Sequence, residues 1–208
     1  MTYNTRAVII KYQKYKEFDR IYTVYTEDFG KLILLARGSN KIKSKLAGHL
    51  EPGILSYLMI AQGRQFDVLA QARTLKSFVA VRQNPVKLET AAVLLESLDK
   101  LTESLEEDKE VFDLLVKALQ SLKTVKLPSN TAGRQVTLQL QDLIYHYLLH
   151  LLIHLGHAPD LKHEKKLEDL LLADISGDGI IVNEEARMLI NQYLRRALDE
   201  KKLYSFVF

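Results

Sequence analysis

The sequence predicts an α+β protein, an N-terminal five-stranded barrel of the OB type followed by an all-helical C-terminal domain, and three observations carry that expectation. Over residues 1–80, short runs rich in β-branched and aromatic side chains are broken at close intervals by turn signals. From Asn84 onward, leucines and alanines recur at three- and four-residue spacing instead. The charge balance changes sign at the same place: residues 1–82 hold 14 Lys and Arg against 6 Asp and Glu, whereas the rest hold 15 against 20.

Strands are expected near Arg6–Tyr12, Phe18–Thr26, Lys31–Arg37, Ile54–Ala61 and Phe66–Phe78. The second and third flank Glu27-Asp28-Phe29-Gly30, where Gly30 supplies the positive φ that a tight hairpin asks for, and Gly63 offers a further turn. So few strands leave exposed edges unless they close on themselves, which favours a barrel over an open sheet. The domains are therefore placed at 1–80 and 81–208.

In the second domain, Asn84 and Pro85 read as a cap and first helical position, with Leu88, Ala91, Leu95, Leu98, Leu101 and Leu105 following on one face. A second helix carries Val111, Leu114, Leu115, Ala118, Leu119 and Leu122 before Pro128 and Gly133 interrupt it. A third runs from about Val136 to Leu155; between Ile144 and Leu155 its only strongly polar groups are His146, His150 and His154, which predicts burial on most sides within the helical domain. Gly156 and Pro159 end it.

The chain has no cysteine, which excludes a disulfide framework and a thiolate metal site and suits a reducing compartment. No apolar run approaches the about 18 residues of a membrane span, and the N-terminus lacks a signal-peptide pattern. A cytoplasmic protein with no membrane association is expected.

Three features bear on function. Residues 29–50 contain Lys31, Arg37, Lys41, Lys43 and Lys45 without one carboxylate, a single-signed patch of the kind that meets a polyanion, and Tyr12, Tyr15, Tyr22 and Tyr25 offer ring faces to unstacked bases. Residues 174–185, DISGDGIIVNEE, place Asp174, Ser176, Asp178, Gly179 and Glu185 at the spacing of a calcium loop. Ser176 and Val182 depart from the stricter ligand pattern, and glycines before an Asn-capped helix also make an ordinary turn. A calcium-binding interaction module is thus the alternative reading. His146, His150 and His154 lie on one helical stripe, but without HExxH or a carboxylate at a diagnostic spacing they read as buried imidazoles rather than as a metal or hydrolytic centre.

The order of Asp19-Arg20, Thr26, Phe29-Gly30-Lys31, Ala36-Arg37-Gly38, Lys43-Ser44 and Leu50-Glu51-Pro52 resembles the N-terminal barrel of the RecO family of bacterial recombination mediators. KEVFDLLVKALQSL and LLIHLGHAPDLKHE resemble that family's later helices, so the likeness spans residues 1 to about 163. The resemblance implies a non-catalytic protein of DNA repair, without cofactor and associated with the nucleoid. Such a protein binds single- and double-stranded DNA, anneals complementary strands, and helps load RecA together with RecR and single-stranded DNA-binding protein. Carried over residue by residue, Arg20, Lys31, Arg37, Lys41, Lys43 and Lys45 would contact DNA. The acidic, Phe-terminated tail of single-stranded DNA-binding protein would dock on the helical domain, with Phe112, Leu115 and Leu119 as an apolar floor and Lys117 or protonated His150 as the charge. Many relatives carry a four-cysteine zinc module. Here His163, Glu164, Asn183 and Glu184 stand near its positions, which predicts a degenerate, zinc-free region near 160–185.

Overall fold

A computed structural model describes residues 1–125, 134–157, 165–172, 175 and 181–197, with side chains described throughout except at 134–137, 165, 166, 168 and 169. Strands β1 (Thr2–Lys14), β2 (Arg20–Thr26), β3 (Gly30–Ala36), β4 (Leu55–Ala61) and β5 (Asp67–Lys76) close a barrel in the order β1-β2-β3-β5-β4. Neighbours are antiparallel except β3 and β5, which run parallel through Leu34↔Asp67 and Leu35↔Val68. This is the OB arrangement expected from the strand pattern.

Alternation along β3 shows why the sheet closes as it does: Leu32, Leu34 and Ala36 point inward, while Lys31, Ile33 and Leu35 face out or lie part-covered. They join Ala7, Ile9, Tyr22, Val24, Leu50, Leu58, Ile60 and Leu69 in one apolar core. Tyr22 and Tyr25 are both fully buried, so the expectation that they present ring faces is corrected. Tyr22 fills the barrel, where its area is worth more than its exposed face.

The β2–β3 hairpin turns where expected, with Gly30 at φ 62°. A second demand on Gly30 comes from a distant segment: a Cβ there would lie 1.9 Å from the Glu106 carbonyl oxygen. Residues 102–106 run along the start of β3, with a parallel bridge between Lys31 and Ser104 and a Leu105 N–H to Lys31 carbonyl bond of 3.1 Å. Leu105 takes φ 67° and is exposed, which corrects its expected place on the first long helix.

Helix α1 (Val79–Arg82) leads to α2 (Pro85–Leu101), whose Lys87 N–H donates to Asn84 Oδ1 at 3.1 Å, as the Asn-Pro signal predicts. Leu88 is exposed; Ala91, Leu94, Leu95 and Leu98 form the buried face. Helix α3 (Lys109–Thr124) is capped by Asp108 Oδ1 on the Val111 N–H at 3.0 Å. The long buried helix is α4 (Arg134–His154), which ends on Gly156 at φ 76° with the His157 N–H returned to the Leu152 carbonyl at 2.8 Å. It packs against α2, α5 (Lys165–Leu172) and α6 (Glu184–Ala197). Buried Asp142 on α4 takes a 2.6 Å ion pair from Arg187 on α6.

By contact density the chain divides into two compact units. The first comprises Met1–Val79 with Thr102–Val116, and the second Ala80–Leu101 with Lys117–Phe208. The segment laid along β3 thus belongs with the barrel. Among the described residues, no helix is long and apolar enough to cross a membrane.

Candidate nucleic-acid interface

Two loops at one end of the barrel meet to form a cleft rimmed by cations and aromatic rings. The β1–β2 loop carries Tyr15, Lys16, Phe18 and Asp19, and the β4–β5 loop carries Gly63, Arg64, Gln65 and Phe66. They meet where the Tyr15 and Phe66 rings stand edge to face, 5.9 Å apart between centroids. Between them and the end of β3 lies a cleft of about 590 Å³, lined among others by Tyr15, Lys16, Arg37, Arg64 and Phe66.

Gly63 lets this rim form, because a Cβ there would meet the Phe66 carbonyl oxygen at 1.9 Å, and its N–H donates to Asp67 Oδ1 at 3.0 Å. Asp19 also lines the cleft, but its Oδ1 accepts the Gly38 N–H at 2.8 Å, so part of its hydrogen-bonding capacity is already taken by backbone. The cleft thus presents three cations, one carboxylate tied to backbone, and two part-exposed rings. In OB barrels the loops joining strands 1–2 and 4–5, with the face of strands 2 and 3, form the surface that takes oligonucleotides and oligosaccharides.

A second layer of rings and cations adjoins it. Tyr12 and Phe18 are exposed at 39% and 45%. The Arg20 guanidinium lies 4.3 Å from the Tyr12 ring centre, Lys16 Nζ 5.5 Å from that of Tyr15, and Lys41 Nζ 5.3 Å from that of Phe18. Asn40 binds the long β3–β4 connection to the β1–β2 loop: its N–H donates to the Phe18 carbonyl at 2.9 Å and its Nδ2 to the Glu17 carbonyl at 3.1 Å. Arg20 then donates to Asn40 Oδ1 at 2.8 Å.

The six cations expected to meet DNA separate into three kinds. Arg37 lines the cleft; Lys41, Lys43 and Lys45 stand exposed on the adjoining connection. Arg20 is half-buried, its charge directed into the Tyr12–Asn40 contact, and acts as a support for the loop. Lys31 donates its ammonium to the Thr102 carbonyl and fastens the 102–106 segment. Lys16 counts in the sequence only toward the basic charge of the barrel domain, and Arg64 and Phe66 carry no signal there beyond their position in a short loop beside strand ends.

The tail-docking expectation on the helices is corrected. Phe112, Leu115 and Leu119 are fully buried and present no floor; Phe112 instead packs beneath Arg6, whose guanidinium is 5.8 Å from its ring centre. Lys117 is exposed. His150 does not carry the expected charge, since burial first, and then the positive potentials of His146, His154 and Lys117, depress its pKa to about 4. The His146 and His150 rings lie 4.4 Å apart, and among the described residues no group of three or more His, Cys, Asp or Glu is placed to hold an ion.

Of the calcium-like loop, Asp174, Ser176, Asp178 and Gly179 lie outside the described residues, as do His163 and Glu164. Val182 is buried with its N–H on Asp142 Oδ1 at 3.3 Å, and Asn183 caps α6 through the Ala186 N–H at 2.8 Å. This end of the loop has the cap geometry of an ordinary helix start.

The family model described as "Recombination protein O N terminal" matches residues 1–78, which is the barrel. The chain is similar to the DNA repair protein RecO of Roseiflexus sp. (strain RS-1), 34% identical over 159 residues that cover 76% of this chain and 52% of that protein. It is also similar to the protein of the same name from Rubrobacter xylanophilus, 33% identical over 121 residues, or 58% of this chain and 48% of the relative. With the Dehalococcoides mccartyi protein it shares 28% identity over 171 residues, covering 82% and 63% respectively. The chain spans about half the length of the first of these curated relatives.

Proposed function

Because this chain belongs to the RecO family, we propose that it is a non-catalytic DNA-binding protein of recombinational repair whose primary contact is the cleft between the β1–β2 and β4–β5 loops. The observation that carries this reading is the convergence of Lys16, Arg37 and Arg64 with the Tyr15 and Phe66 rings at the position where OB barrels hold oligonucleotides. Cations neutralise phosphates and release counterions, while the rings stack on bases without regard to sequence. Lys41, Lys43 and Lys45 extend the positive surface and would hold further backbone, either from the same strand or from a second.

Holding two strands on one cationic surface lowers their mutual repulsion, which is a physical route to annealing. In the same reading the protein acts with RecR and single-stranded DNA-binding protein to help RecA onto single strands. The docking site for the tail of single-stranded DNA-binding protein is not placed at Phe112, Leu115 and Leu119, which are core.

The test is a salt titration of single-strand affinity by fluorescence anisotropy. With three cleft cations engaged, log affinity should fall against log salt with a slope of about −2 from those residues alone. The Arg37→Ala/Arg64→Ala double variant should lose about 1.4 of that slope. Absence of DNA binding at low salt, or a slope that the double variant leaves untouched, would remove the proposal.

A further inference from the structure

Ile42 is fully exposed, at 105% of its reference area, in the middle of Asn40-Lys41-Ile42-Lys43-Ser44-Lys45. A single exposed aliphatic side chain is ordinary on a protein surface. Its setting here is not. The Ser44 N–H donates to the Lys41 carbonyl at 2.9 Å, closing a turn with Ile42 and Lys43 at its corners. Such corners usually go to Pro, Asn, Asp, Ser or Gly, whose backbones or short polar groups favour the bend, and a β-branched apolar residue gains nothing locally by standing there.

The turn is also held in place. The Lys41 N–H returns to the Gly38 carbonyl at 3.1 Å, and the Ser39 hydroxyl donates to the Ala36 carbonyl at 2.9 Å. Asn40 ties the base of the turn to the β1–β2 loop, and Ser44 Oγ accepts the Leu46 N–H at 3.3 Å. Ile42 is thus an apolar tip on a braced support, flanked by Lys41 and Lys43 in a 22-residue stretch, 29–50, that contains no carboxylate. The half-exposed Phe18 ring beneath Lys41 extends the apolar surface at its base.

We propose that Ile42 is a wedge that enters between neighbouring bases of a DNA duplex while Lys41, Lys43 and Lys45 hold the phosphates on either side. Apolar side chains presented among cations are the devices by which proteins unstack a base step, and the lysines supply the polyanion contact that brings the step within reach. The inference rests on the DNA-binding reading above and gives it a direction: the same surface that holds strands also loosens a paired one, which strand exchange between partners requires.

The experiment uses the full chain and a short duplex with one 2-aminopurine, whose emission rises when stacking is lost. Binding is followed in parallel by anisotropy, and each protein is compared at saturation. Wild type should raise emission well above that of the free duplex, as loss of stacking at one step predicts. Ile42→Ser should reach saturation with emission near that of free duplex, and Ile42→Leu should restore the rise. A saturated wild-type complex without the rise, or an Ile42→Ser complex that keeps it, overturns the wedge while leaving DNA binding intact. No anisotropy change for wild type at low ionic strength removes the DNA-binding reading itself, and the wedge with it. Sedimentation with phosphatidylglycerol vesicles is the remaining arm. Vesicle binding lost in Ile42→Ser, with no emission change on duplex, assigns the tip to a lipid surface and likewise overturns the proposal.

Discussion

Replacing Gly30 by alanine tests how the segment 102–106 is held, and Gly38→Ala supplies its control. Both glycines lie in the left-handed region, Gly30 at φ 62° and Gly38 at φ 65°. Each substitution therefore incurs the same backbone cost of about 1–2 kcal/mol. They differ in what the new methyl meets. At Gly38 the nearest atoms are Lys41 Cδ and Cε at 3.7 and 3.8 Å, an ordinary contact with a flexible side chain. At Gly30 the methyl would stand 1.9 Å from a backbone oxygen, Glu106 O, which cannot swing aside alone. Relief requires the segment to lift, losing the Leu105–Lys31 backbone bond and straining the Lys31–Thr102 contact, together about 2–3 kcal/mol. Gly30→Ala should then cost about 3–5 kcal/mol and Gly38→Ala about 1–2. Urea unfolding monitored by tyrosine fluorescence reads both. Equal losses would refute the claim that the segment is seated against the β2–β3 hairpin.

Three further outcomes follow from the same geometry. Tyr15→Ala removes one ring of the cleft and should weaken single-strand binding by about 1–3 kcal/mol, the usual worth of a base stacked on an aromatic side chain, with a smaller effect on duplex; equal effects on both would argue against stacking. His150 has a folded pKa near 4 against 6.5 when free, so its contribution is fully present above pH 6.5 and is lost as pH falls towards 4. The whole interval corresponds to about 3 kcal/mol, reduced by partial exposure to about 1–2. A His150→Asn profile parallel to wild type between those pH values would contradict it. Lys87 is buried, its pKa lowered by desolvation, with its ammonium on the Val125 and Lys123 carbonyls at 2.6 and 3.3 Å. Lys87→Met should destabilise the helical unit by about 1–3 kcal/mol, since it leaves those carbonyls without their charged donor; an unchanged melting temperature would show that they find water instead.

What the sequence could disclose was local. Alternation marked the strands, Gly30 the hairpin, and Asn84 and Gly156 the helix limits, because each is decided by neighbours a few residues away. Leu105 defeated that reasoning: its spacing continues a helical stripe, but a pairing with Lys31, more than seventy residues earlier, holds it at positive φ. The site was legible by half. A stretch without carboxylates exposed Lys41, Lys43 and Lys45 to view, yet charge counting cannot distinguish Arg37 in the cleft from Lys31 bound to a carbonyl. Lys16, Arg64 and Phe66 become neighbours only once the barrel closes and brings loops some fifty residues apart to one rim.

The parallel contact of β3 with β5 rests on two residue pairs, whereas β2 and β3 share seven. A ring of strands is only as tight as its shortest overlap, so the first opening of this one belongs at Leu35 and Val68, which are also cleft residues. A polymer lying from Arg37 across to Arg64 would bridge that joint from outside. Amide protons there should exchange first in the free protein and slow the most when the cleft is filled, which makes the weakest place in the hoop the one most sensitive to its cargo.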